Sequence, residues 1–131
     1  MGLRLPEIRF VSPLPGLESL SRFTLVSLDD SGQLFSLRSL EDEGVRLFVL
    51  APGGWFPDYR PVVDDETAAT LGIADAADAL TLVVVNAAES FASSTANLLA
   101  PIVVHARTGL AAQVLLTGSD YSLRAPLVPA A

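Results

Sequence analysis

Three β-rich runs follow one another with only four residues between them: FTLVSL (23–28), QLFSLRSL (33–40) and VRLFVLA (45–51), separated by DDSG (29–32) and EDEG (41–44). Connections this short leave no room for a crossover, so neighbouring runs must pair antiparallel. The Asp, Ser and Gly between them supply the turn chemistry. Residues 23–51 therefore encode an antiparallel meander. In its middle run, Phe35, Leu37 and Ser39 share one face, and Leu34, Ser36 and Arg38 share the other.

The rest of the chain reads as more short strands with little helix. LTLVVVNAA (80–88) is a continuous apolar run, the pattern of a strand covered on both faces. After the loop ESFASSTAN (89–97), LLAPIVVHA (98–106) and AAQVLLTG (111–118) flank RTGL (107–110), a second hairpin in which Gly109 is free to take a positive φ. LRLPEIRFV (3–11) alternates loosely, offering Leu5, Ile8 and Phe10 to a core, and Pro6 splits it or confines it to an edge. SPLPGLES (12–19) is a loop. DDETAATLG (64–72) predicts one short helix, with Asp64 or Asp65 as N-cap, acids at the positive end of the dipole and Gly72 as stop. A second helical turn fits Asp75–Ala79.

PGGWFPDYRP (52–61) must be irregular, yet it carries Trp55, Phe56 and Tyr59. Such a loop either lies over the core or shows its aromatics to a partner, and the usual burial of large aromatics favours core cover. SDYSLRAPLVPAA (119–131) reads as a tail. The expected fold is mainly β: a small antiparallel, β-barrel-like single domain over residues 1–131 with one or two short helices. Closure is the economical solution because it hides strand edges.

Charge and composition narrow the function. Fifteen acids face eight arginines and no lysine, for a net charge of −7. The arginines, at 4, 9, 22, 38, 46, 60, 107 and 124, form no run. Direct binding to nucleic acid is disfavoured, since such a surface repels phosphates. The acidity permits a basic protein partner. Without cysteine there is no disulfide, thiolate metal site or cysteine nucleophile. No apolar leader follows the N-terminus, and the longest uncharged stretch, Ser90–Ala106, is too polar to span a membrane, so a cytoplasmic location is expected.

Catalytic signatures are missing one by one. His105 is the only histidine and lies in an apolar run, where a structural role is the expected one. There is no GxSxG elbow, no lysine for an SxxK pair, no P-loop and no GxGxxG after a strand. Paired acids at Asp29–Asp30 and Asp64–Asp65 suit turns and caps. No catalytic, cofactor or metal site is expected, and the chain reads as a binding protein rather than an enzyme.

STANLLAPIVV (94–104), RTGLAAQVLL (107–116) and SDYSLRAPL (119–127) resemble the C-terminal half of the flagellar assembly factor FliW family. LPGLE (14–18) resembles the family's early Gly-Leu-Pro-Gly-Phe-Glu element, and WFPDYRP (55–61) its aromatic-Pro-Asp-Tyr segment. The chain departs from the family pattern at Pro13, often Gly; at Leu17, often Phe; and at Ala125, commonly His. The resemblance implies a small β-barrel-like binding protein whose partners are flagellin and the RNA-binding regulator CsrA. The resemblance also implies that such a protein, by binding CsrA away from its RNA surface, prevents repression of flagellin translation. Free flagellin captures it and restores repression. The alternative is a dedicated flagellin chaperone without CsrA regulation.

The candidate partner-binding residues lie in the loops of these family elements: Asp58, Tyr59, Thr95, Asn97, Leu98, Pro101, Tyr121 and Arg124. Each admits a second reading. Thr95 and Asn97 have the habits of loop-bonding residues, and Tyr59 could pin its loop to the barrel. Pro101 donates no ladder bond, which marks an edge or a bulge near it, and an exposed edge is one way for a partner strand to add.

Overall fold

The computed structural model describes residues 7–12, 14, 17–28, 33–56, 59, 61, 63–86, 93–116 and 119–127. The DDSG turn, Leu5, Pro6 and Asp58 lie outside them. The strands are β1 (Ile8–Phe10), β2 (Arg22–Ser27), β3 (Leu34–Ser39), β4 (Arg46–Leu50), β5 (Ala79–Asn86), β6 (Thr95–Ala96), β7 (Ile102–His105), β8 (Leu110–Gln113) and β9 (Ala125–Pro126). The helix α1 spans Asp65–Leu71, and 3-10 turns occupy Pro52–Gly54 and Ala76–Asp78.

Seven strands close a barrel in the order β1, β2, β3, β4, β5, β7, β8 and back to β1. The expected meander is β2–β3–β4, paired in register from Phe23↔Ser39 to Leu34↔Leu50. One pair departs from the antiparallel expectation. β1 runs parallel to β8, with Arg9↔Leu110 and Phe10↔Ala111 in register. The reason is arithmetic: strand direction alternates around a ring, and with an odd number of strands the alternation must fail once.

Alternation along each strand sorts the side chains. Ile8, Phe10, Phe23, Phe35, Leu37, Val49, Leu82, Ile102, Val104 and Ala111 fill the interior. Leu14 and Leu17 of the LPGLE segment pack on the same cluster. A cavity of about 140 Å³, lined in part by Asn97 and Gln113, remains among them. That is below the roughly 300–1,000 Å³ of a ligand pocket. The barrel is filled by its own side chains.

β5 explains the long apolar run. Leu80, Leu82 and Val84 face the interior. On its outer face, Val83 and Val85 lie under an aromatic loop and Ala79 beside α1. The helix has the expected ends: Asp64 sits extended at φ −67° and ψ 156°, and Gly72 is left-handed at φ 72°. Its buried Leu71 packs with Val103 and Ala112 on the outer faces of β7 and β8.

Three expectations change. The strand read at 98–106 begins only at Ile102, the loop read at 89–97 contains β6, and the tail contains β9. Asn97 explains the first. Its Oδ1 accepts the N–H groups of Leu99 and Ala100, each at 3.1 Å, which a ladder would have used, and Pro101 has none to give. β6 and β9 are two-residue strands paired to each other, and β6 also pairs with β5. Strands this short carry no periodicity, so only their partners define them.

His105 is structural, as expected. It is buried, and its Nδ1 accepts the backbone N–H of Arg107 at 3.1 Å inside the turn that Gly109 completes at φ 80°.

The EDEG turn holds more than itself. Glu41 accepts the N–H groups of Ser21 and Arg22 at 2.8 and 2.9 Å, tying the entrance of β2 to the β3–β4 turn. These two backbone bonds, and secondarily the Arg22 charge, hold its carboxyl below the usual 4.5. A lowered folded pKa contributes stability that is present above the unfolded value and lost as pH falls through the folded one. Asp64, held down by the Thr67 hydroxyl, acts in the same direction. Stability is therefore expected to fall as pH drops below about 4.5. Glu41→Gln should shrink the difference between urea midpoints at pH 7 and pH 3. An unchanged difference would remove Glu41 from the account.

Candidate partner-binding surface

Three segments far apart in sequence meet on the outer face of β4 and β5. They are the aromatic loop at 55–59, the β6 region with its turn at 95–100, and the β9 region at 121–127. Leu50, Tyr59, Val83, Ala96, Leu98, Leu116, Ala125 and Leu127 form one buried cluster, with Trp55, Phe56, Leu99 and Tyr121 packed against it.

Tyr59 is the pin. Its hydroxyl donates to the Leu98 carbonyl at 2.6 Å, and its ring meets Tyr121 edge to face at 4.6 Å and 79°. It is only 8% exposed. Burial, and then the neighbouring Tyr121, push its phenol well above the ordinary range, so it stays a neutral donor. Core cover, the favoured reading of this loop, is what the structure shows.

The chain from 97 to 100 is held on both sides. The Asn97 N–H donates to Val84, Leu98 to Ser122 and, from the other direction, Leu116 to Leu99, at 2.8, 2.9 and 2.8 Å. The Gln113 amide donates to the Ala100 carbonyl at 3.1 Å. Removing the Asn97 acceptor strands two N–H groups in a part-buried turn. Asn97→Ala is expected to cost about 1–2 kcal/mol in a urea titration. A cost near zero would mean that water replaces the side chain.

The expected site residues thus fall into three groups. Tyr59, Leu98 and Pro101 are buried and have little side chain to offer a partner. Thr95, Asn97 and Tyr121 are half-buried, while Arg124 is exposed. Asp58 lies outside the described residues. Just before Pro101, β6 lies between β5 and β9, and β9 is the last strand in the order.

Two outward residues were not among the expected ones. Leu115 is 60% exposed and Leu123 is 56% exposed. Each adjoins a residue bonded to the 98–99 backbone, Leu116 in one case and Ser122 in the other. The sequence did carry a signal for Leu115. In Val114–Leu115–Leu116, alternation turns the middle residue away from the face of its neighbours. Leu123 stands among polar residues in a segment whose strand character is invisible locally. Among the described residues there is no group of three or more potential metal ligands, and no helix is long and apolar enough to cross a membrane.

The comparisons with known proteins agree with this architecture. The FliW protein family profile matches residues 4–127. The chain is 33% identical to the flagellar assembly factor FliW of Bacillus subtilis (strain 168) over 120 residues, covering 92% of this chain and 84% of that one. It is 34% identical to the FliW of Geobacillus kaustophilus (strain HTA426) over 122 residues, covering 93% and 84%. A crystal structure of the flagellar assembly factor FliW superposes with a TM-score of 0.88 at 31% identity, covering 95% of this chain and 86% of that one. With the same barrel and a profile match running from before β1 through β9, this chain belongs to the FliW family.

Proposed function

We propose that this protein is a flagellar assembly factor of the cytoplasm, non-catalytic, that binds CsrA and flagellin in a partner switch and so relieves CsrA repression of flagellin translation. Family membership over residues 4–127 is the observation that carries this reading. The net charge of −7 suits a protein that acts on an RNA-binding regulator without touching RNA itself. In such a switch the free pool of one ligand sets occupancy by the other.

The contact surface is the outward rim of the pinned cluster: Leu115, Leu123 and Arg124, with the half-buried Tyr121 behind them. Leu115→Ser with Leu123→Ser should leave stability within about 0.5 kcal/mol, because both side chains are largely in water already. Affinity for at least one partner should fall about tenfold or more, the loss expected at a central apolar contact. Calorimetric titration of the purified protein with CsrA and with flagellin, separately and in competition, tests the whole reading. Displacement of CsrA by flagellin is the expected result. A stable ternary complex would overturn the switch, and flagellin binding without CsrA binding would select the chaperone instead.

A further inference from the structure

A second surface lies on the same outer face of β5, toward the start of the strand. Between α1 and the outer face of β5 and β7 runs a groove of about 440 Å³. Val63, Ala68 and Ile73 contribute its apolar wall, Thr81 lies on its β5 side, and the acidic residues Asp65 and Asp75 are also among its lining. The groove exists because α1 is short. Leu71 alone of the helix is buried, on Val103 and Ala112, while Val63 before the helix and Ile73 after it pack on the same cluster but stay partly exposed.

The charges here differ from those nearby. Asp78 is already paired with Arg107 at 3.0 Å. Among the described residues neither Asp65 nor Asp75 has a cation within 4.0 Å, and both residues are exposed. Asp75 Oδ1 accepts only the Ala77 N–H, at 3.0 Å. An apolar floor flanked by two carboxylates that have no cation partner among the described residues is complementary to an apolar side chain with a positive charge on either side. The volume falls within the roughly 300–1,000 Å³ of small-ligand clefts, room enough for one apolar side chain.

We propose that this groove docks a basic segment of a protein partner. One leucine-like side chain is seated on Val63, Ala68 and Ile73, and flanking arginines or lysines engage Asp65 and Asp75. The groove's lining includes neither Leu115 nor Leu123, so it stands whether or not that rim binds the proposed partners.

The test uses the full-length, isotope-labelled protein and two capped pentapeptides. One carries leucine between two arginines, and the other carries leucine between two glutamates. At low salt the arginine peptide is expected to shift the amide signals of Ala68, Ile73 and Thr81 saturably, and the glutamate peptide is not. Asp65→Asn with Asp75→Asn should weaken the arginine peptide about threefold to tenfold, since two partly screened charges are removed. Asparagine can still accept the Ala77 N–H, and the unbound spectrum verifies that the variant is folded. Equal shifts with both peptides, shifts confined to other acidic turns, or a double variant that binds as tightly as the parent would each overturn the proposal.

Discussion

Tyr59→Ala is expected to remove about 3–5 kcal/mol of stability, the cost of deleting a large buried aromatic from a packed site. Three losses combine. The ring leaves a void in the cluster of Leu50, Val83 and Leu98. The edge-to-face contact with Tyr121 disappears, worth about 0.5–1.5 kcal/mol. The Leu98 carbonyl loses its hydroxyl donor, at about 1–2 kcal/mol. Domains of this size have about 5–15 kcal/mol in all. Urea unfolding with an unchanged slope measures the total, and Tyr59→Phe isolates the hydrogen bond. A Tyr59→Ala variant that loses less than about 1 kcal/mol but no longer binds a partner would move Tyr59 from scaffold to contact.

Phe23→Ala should be as costly, about 3–5 kcal/mol, for a different reason. Phe23 is fully buried inside the barrel. It is registered opposite Ile8 across the β1–β2 pair, and its ring meets Phe10 edge to face at 5.4 Å and 82°. β1 is only three residues long, yet it carries both Ile8 and Phe10 into the core and closes the ring on β8. A cavity at Phe23 thus undermines the strand on which closure depends. Phe23→Leu, which keeps most of the volume, should cost less than about 1.5 kcal/mol. Equal losses in the two variants would mean that β1 is not packed by this contact.

The two losses sit on opposite sides of the sheet, and they differ in how legible they were. Phe23 belongs to the meander, where alternation and turn residues made the strand readable. Tyr59 lies in a loop with three prolines and two glycines, and sequence offered two roles for it. Burial and the bond to Leu98 show it packed onto the barrel, which gives it a scaffold role. The family elements were visible as a set in sequence, yet nothing local to Leu123 announced its exposure.

By itself the sequence determined what is local. The β2–β3–β4 meander, helix α1 with Asp64 and Gly72 at its ends, the β7–β8 hairpin and the two-sided burial of β5 all follow from side-chain period and turn chemistry within a few residues. Only the tertiary structure decided what depends on distant partners. The parallel closure of β1 on β8 follows from an odd count of strands in a ring, which no single segment records. β6 and β9 exist because β5 leaves an edge beyond the end of β7 for them to occupy. Asn97 turns the chain away at that junction, taking two N–H groups out of the ladder. The 98–99 backbone is bonded to Ser122 on one side and Leu116 on the other only in the folded chain, and the exposed Leu123 and Leu115 adjoin those bonds.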